Sequence, residues 1–344
     1  MNYRILEEDV QQFGEHFELR EQLRGKTFLI TGATGLIGSV MIKCLGELNR
    51  KNGLNIKVVA PIRDMEKARK IFGGDFNAID FVQLPLTQIC RGTIGQGVDY
   101  IIHLASPTNG KYMESHPVET FGLAYESTKN LLEYARLEKC EGFVYVSSLE
   151  YFGQILEDKM VKEDEQGYID ANSPRSSYPL GKRAAEYLCY SYAYEYGVPA
   201  KVARLTQTFG AGVSTDDNRV FAQFARSVIS EQDIILHTTG ESAKPYCYTM
   251  DAVSAILYIL LKGKNGEAYN VANEETYITI KGMAEYLKEH FNPAINVRVE
   301  LNNNMGYAPV TKLRLSSQKL IDLGWQPRFG LKEMFERLIK FLGD

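Results

Sequence analysis

The chain has 344 residues, 44% of them hydrophobic and 24% charged, enough for a large core in one domain with an added lobe, or in two domains. A net charge of -4, an isoelectric point near 5.9 and the absence of a long Lys/Arg block argue against a nucleic-acid partner, which needs a basic surface. The acidic, polar opening MNYRILEEDVQQF is unlike a secretory leader, and no apolar run reaches membrane-spanning length, so a cytoplasmic protein with no membrane partner is expected.

In residues 1–25, Ile5, Val10, Phe13, Phe17, Leu19 and Leu23 are spaced among charges, which predicts a helical extension that packs and carries no chemistry. Over residues 26–205, KTFLIT, IKVVA, YIIHLA, GFVYVS and AKVARL read as buried strands. Between them, STKNLLEYARLEKC and KRAAEYLCYSYAYEYG read as helices. Regular alternation implies right-handed crossovers and an α/β fold with a doubly wound parallel sheet.

Residues 206–344 break that alternation around FGAGVSTDDN and HTTGESAKP and close on the helical LKEMFERLIKFLG. They predict a smaller C-terminal lobe that binds substrate over the sheet edge, with a segment near 245–275 returning to the main domain. Cys44, Cys90, Cys140, Cys189 and Cys247 stand singly, which predicts buried, reduced thiols. The histidines His16, His103, His116, His237 and His290 are dispersed, so no metal site is expected, and His103 reads as structural.

The stretch TGATGLIGS, Thr31–Ser39, follows an apolar strand and precedes a helix-compatible run. Gly32, Gly35 and Gly38 at intervals of three let a backbone approach a pyrophosphate at the helix N-terminus, where free N–H groups and the helix dipole favour anions. Further on, Tyr178 and Lys182 are four apart and share a helix face. A tyrosine becomes a base near neutral pH when positive charge stabilises its phenolate, and a lysine one turn away, together with a nicotinamide ring, supplies that charge.

TGATGLIG, YVSS and SYPLGK together resemble the extended short-chain dehydrogenase/reductases, a Rossmann-type family of NAD-dependent epimerases and dehydratases. HLASP, HPVET, PRSSYPLGKRAAE, ARLTQTFG and LGWQPRFGLKE are similar to segments of UDP-glucuronate decarboxylases and nucleotide-sugar 4,6-dehydratases. The resemblance implies that Gly32, Thr34, Gly35, Leu36, Ile37, Gly38 and Ala105 line a dinucleotide together with Tyr178 and Lys182. In SSLEYFG it implies that Ser148 hydrogen-bonds the reacting sugar oxygen. Glu150 falls where dehydratases and decarboxylases carry a glutamate, the base that takes the C5 proton in dehydratases. Leu149 stands where dTDP-glucose dehydratases have an acid, Ala124 where the family often has Asn, and Ala211-Gly212 where the decarboxylases have Pro-Arg.

After the second strand, PIRDMEK puts Arg63 near the position where NAD-preferring members carry an acid, with Asp64 next to it. A guanidinium suits a 2′-phosphate, so the cofactor is NAD or NADP, with NADP narrowly favoured. By resemblance, Arg219, Lys244 and Arg314 meet the nucleotide phosphates and Gln207 faces the sugar. The function implied is a lyase on a nucleoside-diphosphate sugar, a 4,6-dehydratase or a UDP-glucuronate-decarboxylase-like enzyme, working through a 4-keto intermediate. A 4-epimerase and a non-catalytic cofactor-binding protein are the alternatives. The family's helix-packed dimers imply a homodimer, with Leu131, Leu132, Leu188 and Tyr192 as contacts.

Overall fold

A computed structural model describes residues 3–107, 109–155, 157, 159–302 and 310–343. The chain opens with α1 (Tyr3–His16), then β1 (Thr27–Thr31), α2 (Leu36–Asn52), β2 (Lys57–Ile62), α3 (Met65–Phe72), β3 (Asp80–Gln83), α4 (Arg91–Ile94) and β4 (Tyr100–His103). It continues through α5 (Gly110–Ser115), α6 (Pro117–Glu138), β5 (Gly142–Ser148), β6 (Met160–Val161), α7 (Ser177–Tyr196), β7 (Ala200–Leu205), β8 (Gln207–Phe209), α8 (Val220–Ile229) and β9 (Ile234–Leu236). The remainder is β10 (Ala243–Tyr248), α9 (Thr249–Lys262), β11 (Ala268–Val271), β12 (Asn273–Thr279), α10 (Ile280–Phe291), β13 (Val297–Val299), β14 (Arg314–Leu315), α11 (Gln318–Ile321) and α12 (Leu331–Gly343).

Seven strands pair in parallel in the order β11-β7-β5-β4-β1-β2-β3. Helices cover both faces, so the central strands are apolar on both sides and lack alternation. One face packs on α1, α2, α9 and α12, the other on α6 and α7. From β1 the chain winds outward to β2 and β3, then returns to β4 on the other side of β1. Connections leave this reversal in opposite directions and open a crevice beyond the C-terminal ends of β1 and β4, walled by the Gly32–Gly35 turn and the segment after His103.

A three-stranded sheet, β12-β10-β8, adjoins the large one, with β10 parallel to β8 and antiparallel to β12. Thr206 alone separates β7 from β8, and Ala272 alone separates β11 from β12. Both residues are buried, and the Thr206 N–H donates to Val271 O at 3.1 Å.

Two expectations need correction. Leu131 and Leu132 are fully buried in the chain's own core, and Leu188 and Tyr192 pack against that core, so the first pair cannot meet a partner. The solvent-facing apolar residues of these helices are Val118, Phe121, Tyr125 and Leu137 on α6 and Tyr187, Tyr190, Tyr194 and Tyr196 on α7. All five cysteines are free, but Cys90 is exposed because it precedes the short, polar α4. Among the described residues no helix is long and apolar enough to cross a membrane, and no group of three or more His, Cys, Asp or Glu could hold a metal ion.

Candidate active site

At the C-terminal end of β1 the backbone turns sharply, and each glycine there has a steric reason. Gly32 has φ +70, and a Cβ on it would lie 2.9 Å from Ala105 N. A Cβ on Gly38 would lie 2.3 Å from Gly32 O, so only glycine lets α2 close down on the turn. Gly35 is the N-cap of α2 and offers no side chain, which leaves the first N–H groups of a 17-residue helix, from Leu36 and Ile37 onward, without intrahelical partners. Thr31 Oγ1 fixes the facing segment by accepting from Ala105 N at 3.2 Å and pairing with His103 Nδ1 at 2.7 Å. His103 also meets Ser127 Oγ at 3.2 Å; burial, with Lys182 nearby, pushes it down to about 3, so it is neutral.

Across the crevice, β5 ends at Ser148, whose Oγ accepts from Glu150 N at 3.3 Å and caps the turn Leu149–Phe152. Tyr178 and Lys182 lie on one face of α7. The Lys182 ammonium is buried, donates to Val146 O at 2.9 Å and sits 5.5 Å from the Tyr178 ring centroid. Burial pushes Lys182 down to about 8, against the opposing pull of Glu186 and Glu150. Burial and the Glu150 charge push Tyr178 up to about 12, while hydrogen bonds with Ser148 and Ser106 pull it down. Lys182 by itself therefore does not make the phenol a base at neutral pH; more positive charge at the ring is required.

Gly181, between the two, allows close packing of α7 on α6, since its Cβ would lie 3.1 Å from that of Ala124. A methyl group thus occupies the position where the resemblance leads one to expect an amide.

Glu150 is half-buried and its Oε1 accepts from Arg175 Nη2 at 2.8 Å. Arg175 Nη1 is buried without a hydrogen-bond partner among the described residues. Lys244, on β10, feels the Glu150 charge, and burial lowers its pKa. Gln207 opens β8 opposite Tyr246. Arg219 N-caps α8 with its guanidinium already held by both Asp217 oxygens, and Arg314 is exposed over the Tyr277 ring at 4.5 Å. Arg63 is exposed, whereas Asp64 caps α3 by accepting from Lys67 N at 2.9 Å.

The model of the NAD dependent epimerase/dehydratase family matches residues 28–272. The chain belongs to that family. It is 27% identical to UDP-glucuronic acid decarboxylase 3 of Arabidopsis thaliana over 312 residues, covering 89% of this chain and 85% of that relative. It is 27% identical to dTDP-D-glucose 4,6-dehydratase of Bos taurus over 337 residues, covering 92% of this chain and 88% of that relative. The fold matches the UDP-glucose 4-epimerase of Thermotoga maritima at a TM-score of 0.77 and 21% identity, covering 92% of this chain and 98% of that one. An epimerase of Methanothermobacter thermautotrophicus gives 0.79 at 20% identity, covering 99% and 96%. As a member of the family, the chain is an NAD(P)-dependent enzyme that modifies nucleotide sugars. The bare glycine turn and the uncapped start of α2 fit that cofactor.

Three groups near this site carry little sequence signal. Arg175 lies three residues before Tyr178 and reads as a surface charge. Glu186, one turn beyond Lys182, forms a buried ion pair with Arg204 at 2.8 Å, and Arg204 stacks 3.4 Å from the Tyr151 ring centroid. The packing of α7 on β7 brings Glu186 and Arg204 together, and the pairing of β5 with β7 sets Arg204 beside Tyr151.

Proposed function

We propose that the chain removes carbon dioxide from a nucleoside-diphosphate-linked uronic acid after oxidation at C4. The observation that carries this reading is the surplus of positive charge around Glu150. Arg175 has a buried nitrogen with no hydrogen-bond partner among the described residues, and the half-buried Lys244 ammonium, its pKa lowered by burial, feels the Glu150 charge. A carboxylate on the sugar would complete both, whereas a neutral hexose would leave them desolvated and unpaired. Leu149 offers no proton to a leaving hydroxyl, which also disfavours the dTDP-glucose type of elimination. The UDP-glucuronic acid decarboxylase relatives support the same chemistry.

In this reading Tyr178, as phenolate, accepts the proton of the sugar 4-OH, and Ser148 donates to the same oxygen. Lys182 stabilises the phenolate. A nicotinamide held beside them by the Gly32–Gly38 turn and the open N-terminus of α2 would supply hydride transfer and the positive charge that Tyr178 needs. With a ketone at C4, the carboxylate on C5 is β to a carbonyl. The C–C bond breaks and its electron pair forms the enolate, which takes a proton from water at C5; when hydride returns to C4, Tyr178 gives its proton back to the C4 oxygen. Arg175 and Lys244 hold the carboxylate until it leaves, and Glu150 orients Arg175. Arg219, Arg314 and Gln207 face the nucleotide and sugar; Arg219 does so with its charge already balanced by Asp217.

A 4,6-dehydration is the second reading, favoured by Glu150 itself: released from Arg175, it is a base within the site. Mass spectrometry after incubation with UDP-glucuronate, UDP-glucose and dTDP-glucose separates the two. Loss of carbon dioxide from the uronate supports decarboxylation; loss of water from a hexose, or an unchanged mass with inverted C4, overturns it.

Arg63, exposed and with a guanidinium that has no hydrogen bond or ion pair among the described residues, supports NADP over NAD, all the more because Asp64 is engaged in capping. The exposed tyrosines of α7 and the apolar face of α6 support a two-fold homodimer, and five free thiols suit a reducing cytoplasm.

A further inference from the structure

The helix α1 precedes the residues matched by the family model, and most of its buried face is ordinary packing: Ile5, Leu6, Val10 and Phe13. Asp9 is different. It is 1% exposed on that apolar face, where a carboxylate is costly unless partnered. Its Oδ1 accepts from Arg337 of α12 and its Oδ2 from the Tyr248 hydroxyl, at the end of β10. That hydroxyl in turn accepts from the backbone N–H of Ala211 at 3.4 Å. The sequence from Arg337 through Asp9 and Tyr248 to Ala211 therefore ends on the loop that leaves β8.

Packing at the base of the same loop repeats the connection. A Cβ on Gly210 would lie 2.6 Å from Tyr248 Cε2, so this backbone rests on the tyrosine ring. Gly212, with φ +96, lies where a Cβ would be 3.4 Å from Leu36 and Val40 of α2 and 3.8 Å from Leu6 of α1. The far end of the loop is tied independently, by Arg226 to Thr215 O and Asp217 O and by Arg219 to Asp217. With the far end tied from α8, the near end rests on Leu36 and Val40 of α2, on Leu6 of α1, and on Tyr248 held by Asp9.

We infer that α1 belongs to the substrate side of the site: Asp9, acting through Tyr248, is a positioning residue for the Gly210–Arg219 loop. The inference rests on the reading of that loop as a nucleotide-sugar contact. It explains why a carboxylate is kept in an apolar interface where leucine would pack without desolvation cost.

The test uses the full chain with Tyr248→Phe, which removes only the hydroxyl, and with Asp9→Asn, which keeps one carbonyl oxygen to accept from Tyr248. Losing one hydrogen bond of about 1 kcal/mol predicts that Tyr248→Phe raises amide exchange in residues 210–219 about fivefold, with β1 and α7 unchanged. Affinity for the probes UDP and dTDP falls by about the same factor, affinity for the dinucleotide stays within about twofold, and Asp9→Asn lies between wild type and Tyr248→Phe. Unchanged exchange in 210–219, a rise spread equally over β1 and α7, or faster loop exchange with unchanged affinity for a probe that wild type binds overturns the inference. If wild type binds neither UDP nor dTDP, the functional reading falls, and the exchange measurement still decides whether Tyr248 holds the loop.

Discussion

Asp9 also makes the stability of the fold depend on pH with a sign opposite to ordinary acid denaturation, and Asp9→Asn isolates the effect. Burial, opposed by Tyr248 and Arg337, pushes the Asp9 carboxyl up from 3.8 to about 6. Such a group contributes stability that is fully present below its unfolded pKa and is lost as pH rises through its folded value. At about 1.4 kcal/mol per pH unit the loss is about 3 kcal/mol for Asp9. Asp251 behaves alike: buried where it accepts from the N–H groups of Arg328 and Phe329, it is pushed up to about 7, which corresponds to about 4 kcal/mol. His103 acts oppositely, since its pKa is depressed to about 3 and its contribution is lost as pH falls below that of an unfolded histidine. Between about pH 4 and 6 the histidine cancels one carboxyl, and these three groups together leave a loss of about 1.4 kcal/mol per unit as pH rises.

Urea denaturation at half-unit steps across that range, with the midpoint and slope giving the free energy, measures the curve for wild type and Asp9→Asn. The stability of wild type relative to the variant is expected to fall by about 3 kcal/mol from about pH 4 to pH 7. Any constant cost of the amide's own hydrogen bonds drops out of that change. A difference that stays flat, or rises with pH, would refute the raised carboxyl.

Tyr178→Phe should lower turnover of the nucleotide sugar by about a thousandfold while dinucleotide affinity, measured by fluorescence titration, stays near wild type, because the Gly32–Gly38 turn is untouched. Wild type should bind NADP several-fold more tightly than NAD, and Arg63→Ala should close that gap; equal wild-type affinities would contradict the role of Arg63. Replacing the exposed Tyr190 and Tyr194 with glutamate should give a monomeric mass by light scattering at micromolar concentration with an unchanged melting temperature. A wild type that is itself monomeric would remove the dimer.

The strongest elements were legible because their cause is local. The runs KTFLIT, GFVYVS and AKVARL are buried on both sides and coincide with β1, β5 and β7, the last despite Lys201 and Arg204, which are buried charges. The edge strand β3 has no such run: DFVQ is half-exposed and polar at both ends, and its strand character comes from pairing with β2. Tyr178 and Lys182 could be paired from their spacing on one helix turn, whereas Ser148 and Glu150 were legible through the resemblance that SSLEYFG carries. Arg175 and the Glu186–Arg204 pair were not legible, since each is a plain charge until the fold supplies a partner. Leu131 and Leu132 failed for a related reason: an apolar helix residue can face its own core or a partner, and spacing alone does not say which. Asp9 was hidden among the acidic residues of an amphipathic helix, and only α12 and β10 distinguish it.

The single-residue joints at Thr206 and Ala272 constrain how the two halves of the molecule can move. A joint with two rotatable backbone angles is short enough to act as a hinge, but two such joints on neighbouring strands β7 and β11 form a double strap. The Thr206 side chain is bonded to Pro245 O, and the Ala272 N–H donates to Ser317 Oγ at 3.1 Å, so neither joint can turn without the other and without breaking a buried contact. The two sheets are thereby tied along one edge, and in the proposed reading a sugar reaches the crevice by displacement of surface loops, with discrimination between sugars falling to a pocket whose width the strap sets before the ligand arrives.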